Sequence, residues 1–265
     1  MDTAMEVPGL YGWFHLLWLG LTAAFTVVLC LTHKKENTEP VRRVVLVTTL
    51  VVIALEIYKQ INYSFGYTDG IKFDYQWYIF PFQFCSTPMY IGLLAGLTRR
   101  GKVHDAACAY LATYAMFAGI CVMLYPSTVF IDTIGINIQT MICHGTMIAI
   151  GVYLLYSGYV KIAWKTLLRA VVVFAVLVCM AAIMNEIAFL AGLLETEDFN
   201  MFFISPYSAP HLPVYSLVQG VVPFPWCLLI YIVGFTVAAG LILLIAKGVA
   251  VVSQRTRTKQ FAQTH

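Results

Sequence analysis

The sequence predicts an all-helical, polytopic membrane protein in which seven transmembrane helices form one bundle. Of the 265 residues, 60% are hydrophobic and 11% are charged, whereas about one quarter of a water-soluble domain is charged. The apolar residues also form blocks of about 20 residues, the helix length that crosses ~30 Å of hydrocarbon. We therefore expect residues 1–265 to form a single multi-pass domain in the cell membrane.

Seven apolar blocks follow one another along the chain. The first follows an acidic leader that has no small-residue cleavage site, so we expect a lasting helix and not a cleaved signal peptide. The others are separated by short basic loops in alternation with longer loops rich in aromatic residues and proline. The predicted spans are about residues 10–31, 44–63, 78–97, 106–125, 135–156, 167–191 and 224–247.

The basic residues predict how these spans are oriented. All but two of the sixteen Lys and Arg residues lie in the first, third and fifth loops or in the C-terminal tail, and the exceptions are Lys59 and Lys72. Since Lys and Arg accumulate on the cytoplasmic side of membrane proteins, the N-terminus is predicted outside and the C-terminus in the cytoplasm. The net charge of +3 follows from this topology, and we expect no nucleic-acid partner.

The seven cysteines lie within or at the edges of the apolar blocks, and none belongs to a C-x-x-C pair. This pattern is typical of small buried residues and not of a disulfide framework or a zinc site. We therefore expect no cofactor and no bound metal.

The third predicted span opens with "FPFQFCSTPMY", residues 80–90, which is unusually polar and rich in proline for a membrane helix. Pro88 has no N–H and crowds the carbonyl of Phe84, which predicts that the helix kinks or opens there. Either outcome exposes polar backbone beside Cys85, and at this depth protein or cavity water must satisfy it.

Four predicted spans carry strongly polar side chains at a similar depth. Such groups are costly inside a membrane and usually face an internal cavity. Counted at ~1.5 Å per residue, they lie roughly 8 to 14 Å below the outer surface. This shared depth predicts one site in the outer half of the bilayer, with Cys85, His144, Asn185, Glu186 and Glu56 as members.

Further polar residues extend the predicted site. Gln60 lies one turn from Glu56 on the same helix face, and Asn137, Thr140 and His144 form a stripe with i, i+3, i+7 spacing. The stripe lines a path to the histidine or, alternatively, packs by hydrogen bonds against other helices.

The long aromatic loops are either an interfacial belt or a lid over the site. The candidate substrate-binding residues are Gln83, Glu56, Gln60, Asn137, Thr140, Asn200 and His211; His33, His104 and His265 are expected to be solvated.

Several motifs of the chain are similar to those of a known family. They are "FPFQFCS" at the start of the third span, "YP" after the fourth, "IQTMICHGTMIAIGVYLL" in the fifth, "NMFFISP" in the sixth loop and "VPFPW" before the seventh. From about residue 78 to 245 the chain resembles the YwaF-type bacterial integral membrane proteins. That family is similar to a eukaryotic transmembrane acyltransferase of ether-phospholipid remodelling, which uses a membrane cysteine and a histidine. The resemblance implies Cys85 as the acyl-carrying cysteine and His144 as its helper.

Three functions compete. The first is a lipid acyltransferase or acyl hydrolase that takes a membrane lipid as substrate, in which His144 activates the Cys85 thiol and Asn185 or Glu186 orients the imidazole. The second is a transporter or receptor-like module that binds a small solute or lipid without catalysis. The third is a metal-dependent hydrolase using His144, His211 and a glutamate, although no H-E-x-x-H spacing supports it. We favour the first.

Overall fold

The computed structural model of the chain describes residues 4–33, 39–66, 72–193, 199–209 and 215–263, with the backbone alone described for 254–263. Within these ranges the chain forms seven helices. Six of them are long and apolar enough to cross a membrane. The helices are α1 (Trp13–Thr32), α2 (Glu39–Ser64), α3 (Thr87–Leu97), α4 (Lys102–Leu124), α5 (Ile134–Tyr156), α6 (Trp164–Leu190) and α7 (Phe224–Gln263).

Short elements occupy the connections. A two-residue antiparallel hairpin, β1 (Phe65–Gly66) with β2 (Lys72–Phe73), follows α2. In the described part of the chain, 3₁₀ turns lie at Trp77–Ile79, Pro126–Thr128, Met201–Phe203 and Tyr215–Leu217. Helices therefore form most of the described chain.

The third predicted span is helical over its second half alone. Residues 80–86 form bends and turns, and α3 has 11 residues. Pro88 is the second residue of α3, where its missing N–H costs nothing because the first turn has no intrahelical acceptor. Of the two expected outcomes, a kink or an opening of the helix, the structure has the second: Pro88 helps to begin α3, and Gln83 and Cys85 lie in the non-helical turns before it.

The other six helices begin within about five residues of their predicted spans. The largest difference is at the end of α7, which was predicted to stop near residue 247 and continues to Gln263. The hydropathy pattern misses this extension because the added turns carry basic and polar residues that belong outside the hydrocarbon.

The helix ends form two groups. His104 in the first turn of α4 contacts the hydroxyl of Tyr159 after α5 (Nε2 to Oη 2.8 Å), and Arg169 in the second turn of α6 pairs with Asp105 of α4 (3.0 Å). We call this the basic end, since the loops and helix starts there carry Arg99, Arg100, Lys102, Lys161 and Lys165. At the opposite end the N-terminal segment forms a β-bridge, Ala4 to Thr133, before α5.

Burial differs strongly among the helices. In the most apolar 18-residue stretch of α4, 72% of the residues are buried, compared with 11% in the corresponding stretch of α1. Helices α4 and α5 therefore occupy the centre of the bundle. The outer helices leave large apolar side chains exposed, as a lipid-facing surface requires.

Candidate functional site

A small cavity of about 40 Å³ lies between α2, α4, α5 and the start of α3. Cys85 and Cys143 line it from two different elements. Its volume accommodates a few water molecules at most. The remaining lining residues are Thr48, Thr49, Val52, Pro88, Met89, Leu111, Ala115, Thr146, Met147 and Ile150.

The wall that α4 contributes is not regular α-helix. Residues Leu111–Ala115 form a π-helical turn, all of it buried, and the first and last of these residues line the cavity. A π turn widens a helix locally and is frequent at functional sites. Here it lies in the most buried helix of the bundle and faces Cys85.

We define a carboxylate cluster as Glu56, Lys59, Gln60 and Gln139. The first three lie in the second half of α2, away from the basic end, and Gln139 lies on α5. The Glu56 carboxylate accepts hydrogen bonds from Lys59 Nζ (2.8 Å), Gln60 Nε2 (2.8 Å) and Gln139 Nε2 (3.4 Å). The side chain of Glu56 is 9% exposed and that of Lys59 18%. The cluster is thus a nearly buried ion pair with amide support from α2 and α5.

Hydrogen bonds connect the carboxylate cluster to its surroundings on both sides. The Tyr75 hydroxyl donates to Gln60 Oε1 (2.9 Å), and Gln60 Nε2 donates to the carbonyl of Ile79 (3.0 Å). On the inner side, Gln139 Nε2 contacts the sulfur of Cys143 (3.4 Å). A polar chain therefore runs from the loop after β2 to the wall of the cavity.

His144 is buried and uses one ring nitrogen. Its Nδ1 lies 2.7 Å from the carbonyl oxygen of Thr140, and because a carbonyl can only accept, Nδ1 carries the hydrogen. Nε2 then holds the lone pair, and it is buried without a hydrogen-bond partner among the described residues. The ring of His144 therefore presents an unused base inside the bundle.

Two other buried histidines provide a comparison. His15 contacts the backbone N–H of Tyr11 and the carbonyl of Met123 (3.0 and 2.8 Å). His104, expected to be solvated, is instead buried and contacts Thr98 and Tyr159. Both therefore use both ring nitrogens, which His144 does not.

Among the described residues, the structure shows no contact between Cys85 and His144. Cys143 and Thr146, on either side of His144 in the sequence, line the cavity that contains Cys85, whereas His144 does not. In the described part of the chain, no hydrogen bond joins the Cys85 thiol to the imidazole. The main-chain carbonyl of His144 lies close to Gly119 of α4.

An amide cluster, which we define as Gln83, Asn185 and Asn200, holds a loop inside the bundle. Asn185 exchanges two hydrogen bonds with the backbone of Met201 (3.0 and 2.7 Å). Gln83 donates to the carbonyl of Asn200 (2.9 Å) and accepts from the N–H of Phe202 (3.0 Å). The side chains of Gln83 and Asn185 each donate to and accept from main chain, and neither is bonded to His144 in the described structure.

The loop segment 199–205 that this cluster holds is buried and strained. Phe202 has φ of 59°, in the left-handed region that costs a non-glycine residue ~1 to 3 kcal/mol. Its ring stacks on Phe84 with centroids 5.6 Å apart, and its carbonyl accepts from the hydroxyl of Tyr231 (3.0 Å). These contacts offset the backbone strain and fix the loop between α3, α6 and α7.

The remaining predicted site residues lie elsewhere. Glu186 accepts a hydrogen bond from the hydroxyl of Tyr207 (2.7 Å) at an exposed position, and this bond raises the pKa of Tyr207. Asn137 is buried and bonds to both the N–H and the carbonyl of Ile131. His211 lies outside the described residues.

Three residues near the cavity were missed by the sequence analysis: Lys59, Gln139 and Cys143. Their spacing could have predicted these contacts, because residues at i, i+3 or i, i+4 are neighbours on a helix face. Glu56 and Lys59 have the first spacing, and Gln139 and Cys143 have the second. Among the described residues, no group of three or more His, Cys, Asp and Glu side chains is arranged to hold a metal ion.

The fold and its buried polar clusters define a multi-pass helical membrane protein with a polar interior. The sequence model of the TMEM164 family, a membrane protein family, matches residues 10–246, and the chain belongs to that family. The match includes residues 78–245, on which the resemblance to YwaF-type proteins rests. No curated protein and no solved structure matches the chain.

Proposed function

We propose that the protein is a membrane-embedded lipid acyltransferase or acyl hydrolase in which Cys85 is the nucleophile and His144 the general base. The observation that supports this most is the unpartnered Nε2 of His144, on the helix that lines the Cys85 cavity. A thiol reacts as its thiolate, so a nucleophilic cysteine needs a base nearby.

The proposed reaction has two steps. His144 Nε2 removes the proton of Cys85, the thiolate attacks the ester carbonyl of a lipid, and the departing alcohol takes the proton as the thioester forms. A second lipid alcohol, or water, then attacks the thioester and restores the thiol. Catalytic hydrogen bonds are often long in the absence of substrate and shorten in the complex, so we propose that the turn at 83–86 moves toward His144 when substrate binds.

The other candidate residues receive supporting roles in this proposal. The carboxylate cluster, with Glu56 and Gln60, binds the polar part of the substrate, and Thr140 orients the imidazole through its carbonyl. The amide cluster, through Gln83, Asn185 and Asn200, positions the loop segment 199–205 beside the cavity. We further propose that Glu186, Asn137 and His211 contact the substrate near the opposite end.

We also propose the orientation in the membrane. The basic end faces the cytoplasm, in accord with the positive-inside rule, and the opposite end, with the N-terminus, faces outward. In this arrangement α3 and residues 77–86 together make the third of seven crossings. The protein then lies in the cell membrane and draws its substrate from the outer leaflet.

The test compares lipid acyl composition in cells that produce the wild type, Cys85→Ala, His144→Ala or Cys121→Ala. We expect the first two variants to abolish acyl exchange while the protein still inserts, because the nucleophile or its base is lost. Cys121→Ala, which removes an exposed cysteine, is expected to keep wild-type exchange. Radiolabelled acyl groups that are released by hydroxylamine from wild type and not from Cys85→Ala would identify the thioester. Full exchange by Cys85→Ala would contradict the mechanism.

The second candidate function is a lipid- or solute-binding module without catalysis. The lack of a hydrogen bond between the Cys85 thiol and His144 among the described residues favours it, because a nucleophilic thiol needs a base within reach. This function predicts saturable binding without turnover, and it predicts that Cys85→Ser binds as well as wild type. The acyltransferase proposal predicts instead that Cys85→Ser loses most of its activity.

A further inference from the structure

A second and much larger cavity lies on the outside of the bundle. It is a groove of about 820 Å³ between α3, α4 and α6, within the size range of ligand pockets. Its walls are apolar along almost the whole length. The lining side chains on α6 are valine, leucine and methionine, from Val172 to Met184.

The groove has a charged end and an apolar end. Lys102 is the charged residue that lines it, and it lies at the basic end, where the Arg169–Asp105 ion pair holds the starts of α6 and α4 together. Within the described residues, no ion pair involves Lys102 or the neighbouring Arg99. The ammonium group of Lys102 therefore lies unpaired at the mouth of an apolar groove.

The groove is longer than one leaflet. Arg169 of α6 is level with Asp105 of α4 through their ion pair, and Met184 is fifteen residues further along α6, about 22 Å at ~1.5 Å per residue. One half of a hydrocarbon core of ~30 Å is roughly 15 Å. The groove therefore runs from Lys102 past the middle of the bilayer, and an acyl chain whose headgroup lies at Lys102 would fill its first part.

The groove exists because α3 is short. The turns at residues 80–86 replace the two helical turns that would otherwise lie beside α6, and Phe80 and Phe82 close the far end. Side chains along the walls, such as Val103 and Val176, are more than half exposed. The groove thus opens sideways to the lipid and not to water.

We propose that this groove binds one acyl chain of an anionic phospholipid from the leaflet at the basic end, with the phosphate held by Lys102. This lipid site is separate from the Cys85 cavity, and the proposal does not depend on the proposed function. A phospholipid is favoured over other occupants because a long apolar groove with a cation at one end matches a long apolar chain with an anion at one end.

The test measures lipid retention by the purified full-length chain in nanodiscs that contain phosphatidylglycerol and phosphatidylcholine, with native mass spectrometry as the readout. Wild type is expected to retain one phosphatidylglycerol in preference to phosphatidylcholine. Lys102→Gln is expected to lower that preference about fivefold, which corresponds to the ~1 kcal/mol that one basic residue contributes near an anionic surface. Lys165→Gln, at the same end but outside the groove, is the matched control and is expected to match wild type.

A second variant tests the groove itself. Ala106→Trp fills the wall of the groove near Lys102 and is expected to abolish retention of the lipid, while Val237→Trp on the exposed face of α7 is expected to leave it intact. Equal retention of both lipids by wild type, or unchanged retention by Ala106→Trp, would overturn the proposal. A dimer that Ala106→Trp dissociates would also overturn it, since a second copy would then occupy the groove.

Discussion

At the level of single residues, Glu56 and Lys59 form the most consequential charged pair of the described structure. They lie on one face of α2 with little exposure, and Glu56 also accepts hydrogen bonds from amides on two helices. A buried ion pair adds little net stability compared with an apolar pair, but removal of one partner leaves an uncompensated charge. We therefore expect substitution of one residue of the pair to lower the stability of the protein more than substitution of both.

This asymmetry gives a stability prediction. Glu56→Ala is expected to lower the free energy of unfolding by about 3 kcal/mol, because Lys59 loses its counter-charge in a poorly hydrated place. The double variant Glu56→Ala, Lys59→Ala is expected to be more stable than Glu56→Ala alone. Thermal unfolding in detergent measures both, and Glu39→Gln, which removes an exposed contact with Arg42, is the control. A double variant that is less stable than the single one would contradict the prediction.

The sequence predicts individual polar residues better than their partners. Glu56 and Gln60 could be paired from their i, i+4 spacing, and the structure has that hydrogen bond. Gln83 could be recognised as out of place in a span, but its partners at Asn200 and Phe202 lie more than a hundred residues away. Such pairings depend on how the loop after α6 folds back, and no local pattern encodes that.

At the level of elements, the contact between α4 and α5 is set by small residues. A Cβ atom added at Gly119 would lie 2.7 Å from the carbonyl oxygen of His144 and 3.0 Å from the Cβ of Met147. These neighbours are main chain and the rigid start of a side chain, so they cannot easily move. The position of His144 therefore depends on the absence of a side chain on the facing helix.

Gly119→Ala is expected to lower the free energy of unfolding by ~1 to 3 kcal/mol, since the added methyl group forces α4 and α5 apart. The matched control is Gly234→Ala in α7, where an added Cβ meets nothing within 4 Å and a small gain in helix stability is expected. The measurement is the thermal unfolding midpoint of each variant. If Gly119→Ala unfolds like Gly234→Ala, the close approach of the two helices is not what stabilises this contact.

Element boundaries show where sequence reasoning succeeds and fails. Hydropathy predicts α1, α2 and α4 to α6 within a few residues because each is a long apolar block with polar ends. It fails at α3, since residues 80–86 are apolar enough to count as helix and yet form turns. Proline at residue 88 is compatible with either a kink or a helix start, and only the tertiary contacts of Gln83 and Phe84 favour the second.

At the level of the whole molecule, the alternation of helix directions follows from a few contacts. Gly96 of α3 lies against Leu46 near the start of α2, and Gly151 near the end of α5 lies against Met116 of α4. These antiparallel contacts collect the basic residues at one end, as their distribution in the sequence predicted. The number of spans is harder to derive from sequence, because α3 is part helix and part turn.

The proposed orientation is testable with introduced cysteines. Ser127→Cys, at the opposite end, is expected to react in intact cells with a membrane-impermeant maleimide. Ser157→Cys, after α5 at the basic end, is expected to react only after the cells are permeabilised, because the basic end faces the cytoplasm. Gel shift after labelling is the readout, and the reverse pattern would invert the topology.

The incomplete third helix also has a consequence for the order in which the protein matures. Residues 80–86 have only a few local backbone hydrogen bonds, such as Phe82 N–H to the carbonyl of Phe80 and Ser86 N–H to the carbonyl of Gln83, and an unpaired polar group such as the Gln83 amide is not tolerated in hydrocarbon. Gln83 and Phe84 obtain their partners from segment 199–205, which leaves the ribosome more than a hundred residues later. The third crossing therefore reaches its final form late in synthesis, when the loop after α6 has folded back beside α3.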